Sequence, residues 1–346
     1  MGEYARALAI AGAAQVRWPG AAIHFMLSRE ASYADRCPYP ATLLASSPTF
    51  HSAAVIEVMT NWQPDVVIFD NAGRTAQLRA AHRAGAWVVY ISARPRQRRK
   101  AFRLRWMRLI DEHWIAYPEF IAGPMGLLER IKLRVMRRPA VRYLDVVVAR
   151  ATPPACDTLR MRDASSGRID CAPGSYVLVV PGGGTGHPGG RDASEQFFGA
   201  AREIAASGVD AVFVGSAAGL GSASGEFAPR LRTPGFLPQS ELAALMRGAR
   251  LVIANGGSTL LQAIASGRPC IGVAIARDQA ERIRRCVSTG VAVAAPLEAG
   301  AIARGAMLLL QDERRMQSLA ARAIALGLAD GVDVAVHALT ALLATR

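Results

Sequence analysis

Short runs of β-branched and other apolar residues alternate with helix-like stretches along most of this chain of 346 residues. This alternation is typical of a parallel sheet whose strands are connected by helices that cover both faces. The runs with the composition of buried strands are residues 21–27, 65–70, 87–92, 176–181, 210–215, 251–257 and 270–275. Residues 75–85 have the pattern of a connecting helix. The sequence therefore predicts an α/β fold.

The alternation is interrupted between Thr152 and Ser175, where prolines, glycines and serines are frequent. The chain is also long for a single hydrophobic core. We therefore predict a linker at residues 151–175, between an N-terminal domain at residues 1–150 and a C-terminal domain at residues 176–346. We expect two doubly wound parallel sheets that face one another across a cleft. The N-terminal domain opens with a helix-like stretch, Ala5 to Ala14, so its first strand is missing from the pattern.

The formal net charge of +14 is concentrated in the first half of the chain. Residues 1–150 carry 22 Lys/Arg and 11 Asp/Glu, whereas residues 151–346 carry 19 and 16. Nucleic acid would attract such a charge. However, the sequence contains no recognisable nucleic-acid-binding motif, so nucleic acid is not expected as a partner.

The basic residues are densest between Arg94 and Arg108. Within this tract Phe102, Trp106 and Leu109 fall at helical spacing, which gives a cationic helix one apolar face. Such a helix can lie on an anionic membrane surface. In the alternative interpretation, the apolar face docks on the domain and the arginines are solvated.

The five cysteines are odd in number and contain no C-x-x-C pair, so neither a disulfide framework nor a zinc site is indicated. No apolar run approaches the roughly 20 residues that span a bilayer. Glu3 and Arg6 disfavour a signal peptide at the start of the chain. These features predict a cytoplasmic protein, with a peripheral position at the inner face of the membrane if the basic tract binds lipid.

A glycine-rich loop, Pro181 to Gly190, follows one predicted strand and precedes a predicted helix. Glycines in this position let backbone N–H groups approach a phosphate, and the start of the helix adds its positive end. The loop formally fits the G-x-G-x-x-G dinucleotide fingerprint, but the next strand lacks the acidic residue that holds the ribose of NAD. A glycine-rich turn without a ligand is the alternative. The residues predicted to bind phosphate are Gly183, Gly184, Thr185 and His187.

A second junction of the same kind begins at Asn255. Gly256 and Gly257 form a predicted tight turn, and Ser258 and Thr259 open a helix whose free N–H groups face an anion. Asp278 and Gln279 lie just beyond the following strand. Because ligands bind beyond the carboxyl ends of strands in doubly wound sheets, these features predict one shared site.

The second half of the chain, at about residues 176–330, resembles the donor domain of GT-B glycosyltransferases of family 28, the MurG-like enzymes, and related PseG-type nucleotide-sugar hydrolases. The resemblance rests on the Gly-Gly-Ser-Thr turn, the helix that ends at Gly267-x-Pro269, and the Asp278-Gln279 pair. It implies two Rossmann-like domains. The roles it implies are a nucleobase contact by Phe236 and Leu237, a diphosphate contact by Gly256 to Thr259, and a donor-sugar contact by Asp278 and Gln279.

The chain departs from this family at three places. Gln262 stands where the family has a glutamate that binds the ribose, which costs about 1–2 kcal/mol of charge-assisted hydrogen bonding. Arg282-Ile283 replaces Asn-Ala, and the arginine can instead reach a phosphate. The first residues resemble the end of the family's G-x-G-H-x-x-R-x-L-A-I-A segment, with Glu3 in place of the histidine.

The candidate catalytic base is Asp70, at the carboxyl end of a predicted strand. Capping of the next helix is the alternative role for this residue. The resemblance implies inverting transfer of a sugar, from a nucleoside diphosphate that is expected to be UDP, to a cell-envelope glycan or lipid-linked acceptor. It implies no metal and no other cofactor. The alternatives are a nucleotide-sugar hydrolase, a non-catalytic binding subunit and, disfavoured by the missing ribose acid, an NAD-dependent oxidoreductase.

Overall fold

The computed structural model describes residues 2–31, 33–147, 159–161, 169–182, 190–216 and 230–345. The chain forms two compact units. The N-terminal unit consists of Glu3–Val147 together with Ala329–Arg346, and the C-terminal unit is built from Val148–Leu328.

The N-terminal unit contains strands and helices in alternation. Its helices are α1 (Gly2–Arg17), α2 (Ser52–Trp62), α3 (Thr75–Arg83), α4 (Pro95–Ala101), α5 (Leu104–Met107), α6 (Glu119–Ala122), α7 (Leu127–Met136) and, at the end of the chain, α14 (Gly331–Leu343), with 3₁₀ turns at Ala34–Arg36 and Pro48–Phe50. Its strands are β1 (Phe25–Ser28), β2 (Ala41–Leu44), β3 (Val66–Asp70), β4 (Trp87–Ser92), β5 (Glu112–Ile115) and β6 (Ala140–Tyr143).

The strands β3, β4, β5 and β6 form a parallel sheet whose central strands, β4 and β5, are buried on both faces. Val88 and Tyr90 of β4 join one apolar cluster with residues of α2 and α3. Val89 and Ile91, which alternate with them, join a second cluster with residues of α1 and α14. Since successive side chains of a strand point to opposite faces, the continuous apolar run of β4 packs against the helices on both faces of the sheet.

The parallel pair β1–β2 is separate from this sheet, and no ladder joins β1 to β3. The β1–β2 pair and the β3–β6 sheet nevertheless contribute to the same core, because Leu44 of β2 and Val67 and Phe69 of β3 belong to one cluster. No strand lies ahead of α1 in the residues that the structure describes. The strands of this unit are therefore divided into two sheets, β1–β2 and β3–β6.

The last helix, α14, packs on the N-terminal unit, although the sequence-based boundary placed it in the C-terminal domain. Ala335, Ala338 and Leu339 of α14 share a core cluster with Ile10 of α1 and Trp114 of β5. The start of α14 is also fixed by the backbone hydrogen bond from Gly331 to Val146. The physical reason is that α14 covers the face of the β3–β6 sheet that α1 leaves partly open.

The C-terminal unit carries the larger sheet. Its strands are β7 (Leu159–Met161), β8 (Ile169–Cys171), β9 (Tyr176–Val180), β10 (Asp210–Phe213), β11 (Leu231–Arg232), β12 (Leu251–Asn255), β13 (Cys270–Val273) and β14 (Val293–Ala295). Its helices are α8 (Gly190–Ala206), α9 (Gln239–Gly248), α10 (Ser258–Ala265), α11 (Arg277–Ser288), α12 (Ala299–Gln311) and α13 (Glu313–Ala325).

The six strands from β9 to β14 form a parallel sheet in the order β11-β10-β9-β12-β13-β14. The order reverses between β9 and β12, which is the topological switch point of a doubly wound fold. One face packs on α8, α12 and α13. On the other face, Gly272 of β13 lets Leu260 of α10 and Ile283 of α11 approach to 3.0 Å of the position that a Cβ atom would take.

The sequence pattern missed the short strands β2, β5, β6, β11 and β14, and the antiparallel β7–β8 hairpin lies inside the predicted linker. The strand β5 has the sequence EHWI, whose two polar residues conceal its burial. Glu112 accepts hydrogen bonds from Arg142 of β6 at 2.9 Å. His113 is 2.8 Å from the hydroxyl of Ser92 in β4. These partners lie tens of residues away, so a local pattern does not reveal them.

Candidate functional site

The carboxyl ends of β9 and β12 lie side by side at the switch point, with Val180 and Ala254 as register partners. The last residue of β12, Asn255, is buried there. Its Nδ2 donates to the carbonyl of Pro181 at 2.6 Å, and its Oδ1 accepts from the backbone N–H of Gly257 at 2.9 Å. One side chain therefore fastens the turn after β9 to the turn after β12.

The glycines of both turns are required by the position of the Asn255 amide. Gly182 has φ +84°, and a Cβ atom there would lie 2.2 Å from Asn255 Nδ2. A Cβ atom on Gly257 would lie 2.8 Å from Asn255 Oδ1, and one on Gly256 would lie 2.8 Å from the Cβ of Gln279. Contacts shorter than 3.0 Å force atoms to shift, so larger residues at these positions would separate the two turns.

The backbone amides of Gly256 and Gly257 are already engaged within this turn. The N–H of Gly256 donates to the carbonyl of Val273 at 3.1 Å, and that of Gly257 is held by Asn255. Helix α10 starts at Ser258 with no side-chain cap from Gly257. Its first N–H groups have no acceptor within the helix, and they lie at the positive end of the helix dipole. The geometry thus favours Ser258 and Thr259, rather than the two glycine amides, as donors to an anion.

The predicted sugar-binding pair divides into an exposed and a buried residue. The Asp278 carboxylate is exposed in the first turn of α11, whereas Gln279 is buried. The Oε1 of Gln279 accepts from the backbone N–H of Ile275 at 3.0 Å, so this side chain fixes the turn between β13 and α11.

Arg282 extends from α11 to the turn after β12. Its Nη1 donates to the carbonyl of Gly256, and its Nη2 lies 3.6 Å from the carboxylate of Asp278. The guanidinium is largely buried. The structure therefore places the positive charge of Arg282 beside the start of α10. The hydrogen bond from Arg282 to Gly256 holds the turn after β12.

The other residues predicted to contact the sugar nucleotide lie at the same edge of the sheet, as far as they belong to the described part of the chain. Phe236 is 63 % exposed in the loop between β11 and α9, and Leu237 beside it is half-buried. Gln262 is half-buried on α10. Because β9, β11, β12 and β13 belong to one parallel sheet, the loops after them share its carboxyl edge. Gly183, Gly184, Thr185 and His187 lie outside the described residues.

Asp70 ends β3 in the N-terminal unit and is engaged in a buried ion pair. Its Oδ2 accepts from Arg6 Nε at 2.9 Å and its Oδ1 accepts from Arg6 Nη2 at 2.6 Å. Burial raises the pKa of Asp70 above its ordinary value, while Arg6 acts in the opposite direction. A general base needs an oxygen within reach of the acceptor hydroxyl, and here each oxygen already accepts one hydrogen bond from Arg6. Asp70 does not cap α3, whose N-cap is Arg74.

The apolar face predicted within the basic tract is buried. Phe102 and Trp106 are core residues and Leu109 is half-buried, so these three side chains do not form an exposed apolar face. The tract is divided into α4 and α5. Arg98 of α4 is buried against the loop after α6, where it donates to the carbonyl of Gly123 at 2.7 Å. As in the alternative interpretation, the apolar face docks on the domain, but Arg98 is buried rather than solvated.

Asn255 joins the two turns of the site, a role that was not predicted from the sequence. The available signal was a polar residue that ends an apolar strand and directly precedes two glycines. In the ranges that the structure describes, no helix is both long and apolar enough to cross a bilayer. The same ranges contain no group of three His, Cys, Asp or Glu residues placed to hold a metal ion.

No protein-family model matches this sequence, and no curated protein matches it. Solved structures do match over nearly the whole chain. A UDP-glucosyltransferase from Polygonum tinctorium is 13 % identical with a TM-score of 0.65, over 98 % of this chain and 96 % of that one. MurG from Acinetobacter baumannii is 14 % identical with a TM-score of 0.57, over 93 % and 91 %.

A UDP-N-acetylglucosamine 2-epimerase is also similar, at 15 % identity and a TM-score of 0.56, over 99 % of this chain and 94 % of that one. Identities this low carry information on architecture only. Both units of the chain are parallel α/β units, and together with these structural matches they show that the chain has the GT-B fold, which it shares with glycosyltransferases and with this epimerase.

Proposed function

We propose that this chain is a glycosyltransferase that takes a sugar from a nucleoside diphosphate, with UDP as the expected nucleotide. The observation that carries the proposal is the junction at the switch point, where Asn255 joins the turns after β9 and β12 beside the uncapped start of α10. The crevice at a switch point is where doubly wound sheets bind ligands.

The diphosphate is assigned to the start of α10. Ser258 and Thr259 offer backbone N–H groups and hydroxyls there, and the helix dipole favours a negative charge. The same groups stabilise the charge that develops on the leaving diphosphate, which is how this protein would lower the barrier without a bound metal. The loop residues Gly183, Gly184, Thr185 and His187 are proposed as a second set of phosphate contacts.

The other donor contacts follow from the loops at the same edge. Phe236 presents an exposed ring that can stack on a nucleobase, with Leu237 beside it. Gln262 is proposed to bind the ribose, and Asp278 to accept hydrogen bonds from the sugar hydroxyls. Gln279 supports this contact by fixing the turn that carries Asp278.

Inverting transfer to a cell-envelope glycan or lipid-linked acceptor remains part of the proposal, with Asp70 as its base. For that role one carboxylate oxygen must accept a hydrogen bond from the acceptor hydroxyl, either beside the bond from Arg6 or in its place. The pairing of Asp70 also supports a second candidate, a subunit that binds the nucleotide sugar without transferring it. Hydrolysis, with water as the acceptor, is a third use of the same donor site.

A panel of UDP-, GDP- and CDP-sugars, NAD and NADP, measured by thermal shift, tests the donor assignment. We expect a nucleoside diphosphate sugar to raise the unfolding midpoint, by mass action on the folded state. Stabilisation by NAD or NADP alone would overturn the proposal. Product analysis with and without acceptor then separates transfer, hydrolysis and binding without turnover.

A further inference from the structure

Helix α7 turns its large apolar side chains toward solvent. Leu127, Leu128, Ile131 and Val135 are 70, 72, 49 and 75 % exposed, and no residue of α7 is buried. These four residues recur at the spacing of one helix face. Isolated exposed leucines need no explanation, whereas a contiguous apolar stripe of this kind marks an interaction surface.

The same helix is attached to the N-terminal unit through charged side chains. Glu129 accepts hydrogen bonds from Arg98 at 3.2 and 2.6 Å, and Lys132 Nζ donates to the carbonyl of Phe102 at 3.1 Å. Leu133 and Met136, on the attached side, are only half-buried. An amphipathic helix usually packs its apolar face on the protein and exposes its charged face, whereas α7 does the opposite. Core packing therefore does not account for the exposed apolar residues of α7.

Basic residues are frequent on and near this apolar face. Residues 94–138 contain 13 Lys/Arg and four Asp/Glu. Arg130, Arg134 and Arg137 are exposed on or directly after α7. Lys132 of α7 is bonded to the carbonyl of Phe102, two residues before Leu104, which is also exposed and lies between exposed arginines in the sequence. The surface that we call the α7 face consists of Leu104, Leu127, Leu128, Ile131 and Val135 with these arginines.

We propose that the α7 face docks on an anionic lipid bilayer. Aliphatic side chains on one helix face enter the boundary between headgroups and acyl chains, and surrounding arginines bind lipid phosphates. A second copy of this chain is a poorer occupant, because it would bring two sets of arginines together. The inference differs from the membrane contact expected from Phe102, Trp106 and Leu109, which are not exposed, and it does not depend on the proposed transfer reaction.

Co-sedimentation of the full chain with vesicles tests the proposal. We expect binding to vesicles of phosphatidylcholine mixed with phosphatidylglycerol, weaker binding to phosphatidylcholine alone, and weakening by salt. The variant Leu127→Ser/Leu128→Ser should lower the partition coefficient at least about tenfold, because two aliphatic side chains no longer leave water. The matched control is Leu308→Ser/Ile324→Ser, whose parent side chains are each 69 % exposed in the C-terminal unit and which should bind like the parent.

Several outcomes would overturn the inference: no binding by the parent chain, equal binding to both vesicle types, or equal loss in the control. Light scattering without vesicles distinguishes a second copy, because self-association that disappears in Leu127→Ser/Leu128→Ser would identify α7 as a protein interface instead. If that variant does not fold, Val135→Glu gives an independent reading. It removes one exposed side chain, adds a repelling charge, and should also weaken binding to the anionic vesicles.

Discussion

The side-chain amide of Asn255 donates to the backbone carbonyl of Pro181 at 2.6 Å, across the point where the strand order of the C-terminal sheet reverses. The same side chain also accepts from Gly257, so its two polar atoms hold two turns in one arrangement. The uncapped start of α10 follows directly. This link between two strand ends is what gives the proposed diphosphate site its shape.

Asn255→Asp should weaken binding of a nucleoside diphosphate about tenfold or more. A carboxylate has no N–H to donate to Pro181, and it adds a negative charge beside the proposed phosphate site. Isothermal titration with the best ligand from the nucleotide panel measures the effect. Asn61→Asp makes the same chemical change on an exposed position of α2 and should bind like the parent. Equal affinities of the two variants would remove Asn255 from the site.

Gly182→Ala should destabilise the protein more than Gly208→Ala, by about 1 kcal/mol or more. Both glycines have φ near +85°, at +84° and +86°, so both substitutions carry the same backbone strain. A Cβ atom at Gly208 meets nothing within 4 Å, whereas one at Gly182 displaces the amide of Asn255 and its hydrogen bond. Urea unfolding of the two variants measures the difference. Identical losses of stability would show that the turn after β9 tolerates displacement of Asn255.

Asp70→Asn and Arg6→Gln test whether Asp70 is a base. Both variants break the same buried ion pair, so each should lower stability, by about 3–5 kcal/mol where one charge is left uncompensated. Only Asp70→Asn removes the carboxylate. If Asp70 is the base, Asp70→Asn should lose about 10²–10⁴-fold in transfer rate, while Arg6→Gln retains most of it. Equal activities at a temperature where both are folded would assign Asp70 a structural role.

His113 should make stability depend on pH in the acid range. Burial lowers the pKa of His113 from 6.5 to about 3, with a smaller effect of Arg98 in the same direction. Between these values the unfolded chain binds a proton that the folded chain does not, so stability falls as pH decreases from 6.5 toward 3. The slope is at most about 1.4 kcal/mol per pH unit.

The variant His113→Gln should abolish this part of the slope when unfolding is followed as a function of pH. His82→Gln, at an exposed position of α3, is the control and should leave the slope unchanged. If His113→Gln keeps the slope of the parent, other groups control acid stability.

The strands and turns of the C-terminal sheet could be predicted because their signals are local. Five consecutive buried residues in β9 and in β12 produce an apolar run, and two glycines directly follow Asn255. The strand β5 could not be predicted, because Glu112 and His113 are satisfied by Arg142 and Ser92 from neighbouring strands. Sequence periodicity also identifies an apolar helix face without indicating what covers it.

That ambiguity explains why the sequence of the basic tract left two interpretations open. Trp106 belongs to an amphipathic pattern and is buried, whereas Leu128 belongs to a similar pattern and is exposed. The difference depends on which side chains of each helix find partners in the rest of the unit, as Lys132 finds the carbonyl of Phe102. The C-terminal helix α14 was assigned to the wrong unit for a related reason, since its partners Ile10 and Trp114 lie far away in sequence.

A crystal structure of the full chain with a UDP-sugar would show directly where the diphosphate binds. We expect a phosphate within hydrogen-bonding distance of the backbone N–H groups of Ser258 and Thr259, with Asn255 still bound to Pro181 and Gly257. A nucleotide bound elsewhere on the chain, with the start of α10 occupied only by water, would contradict this expectation.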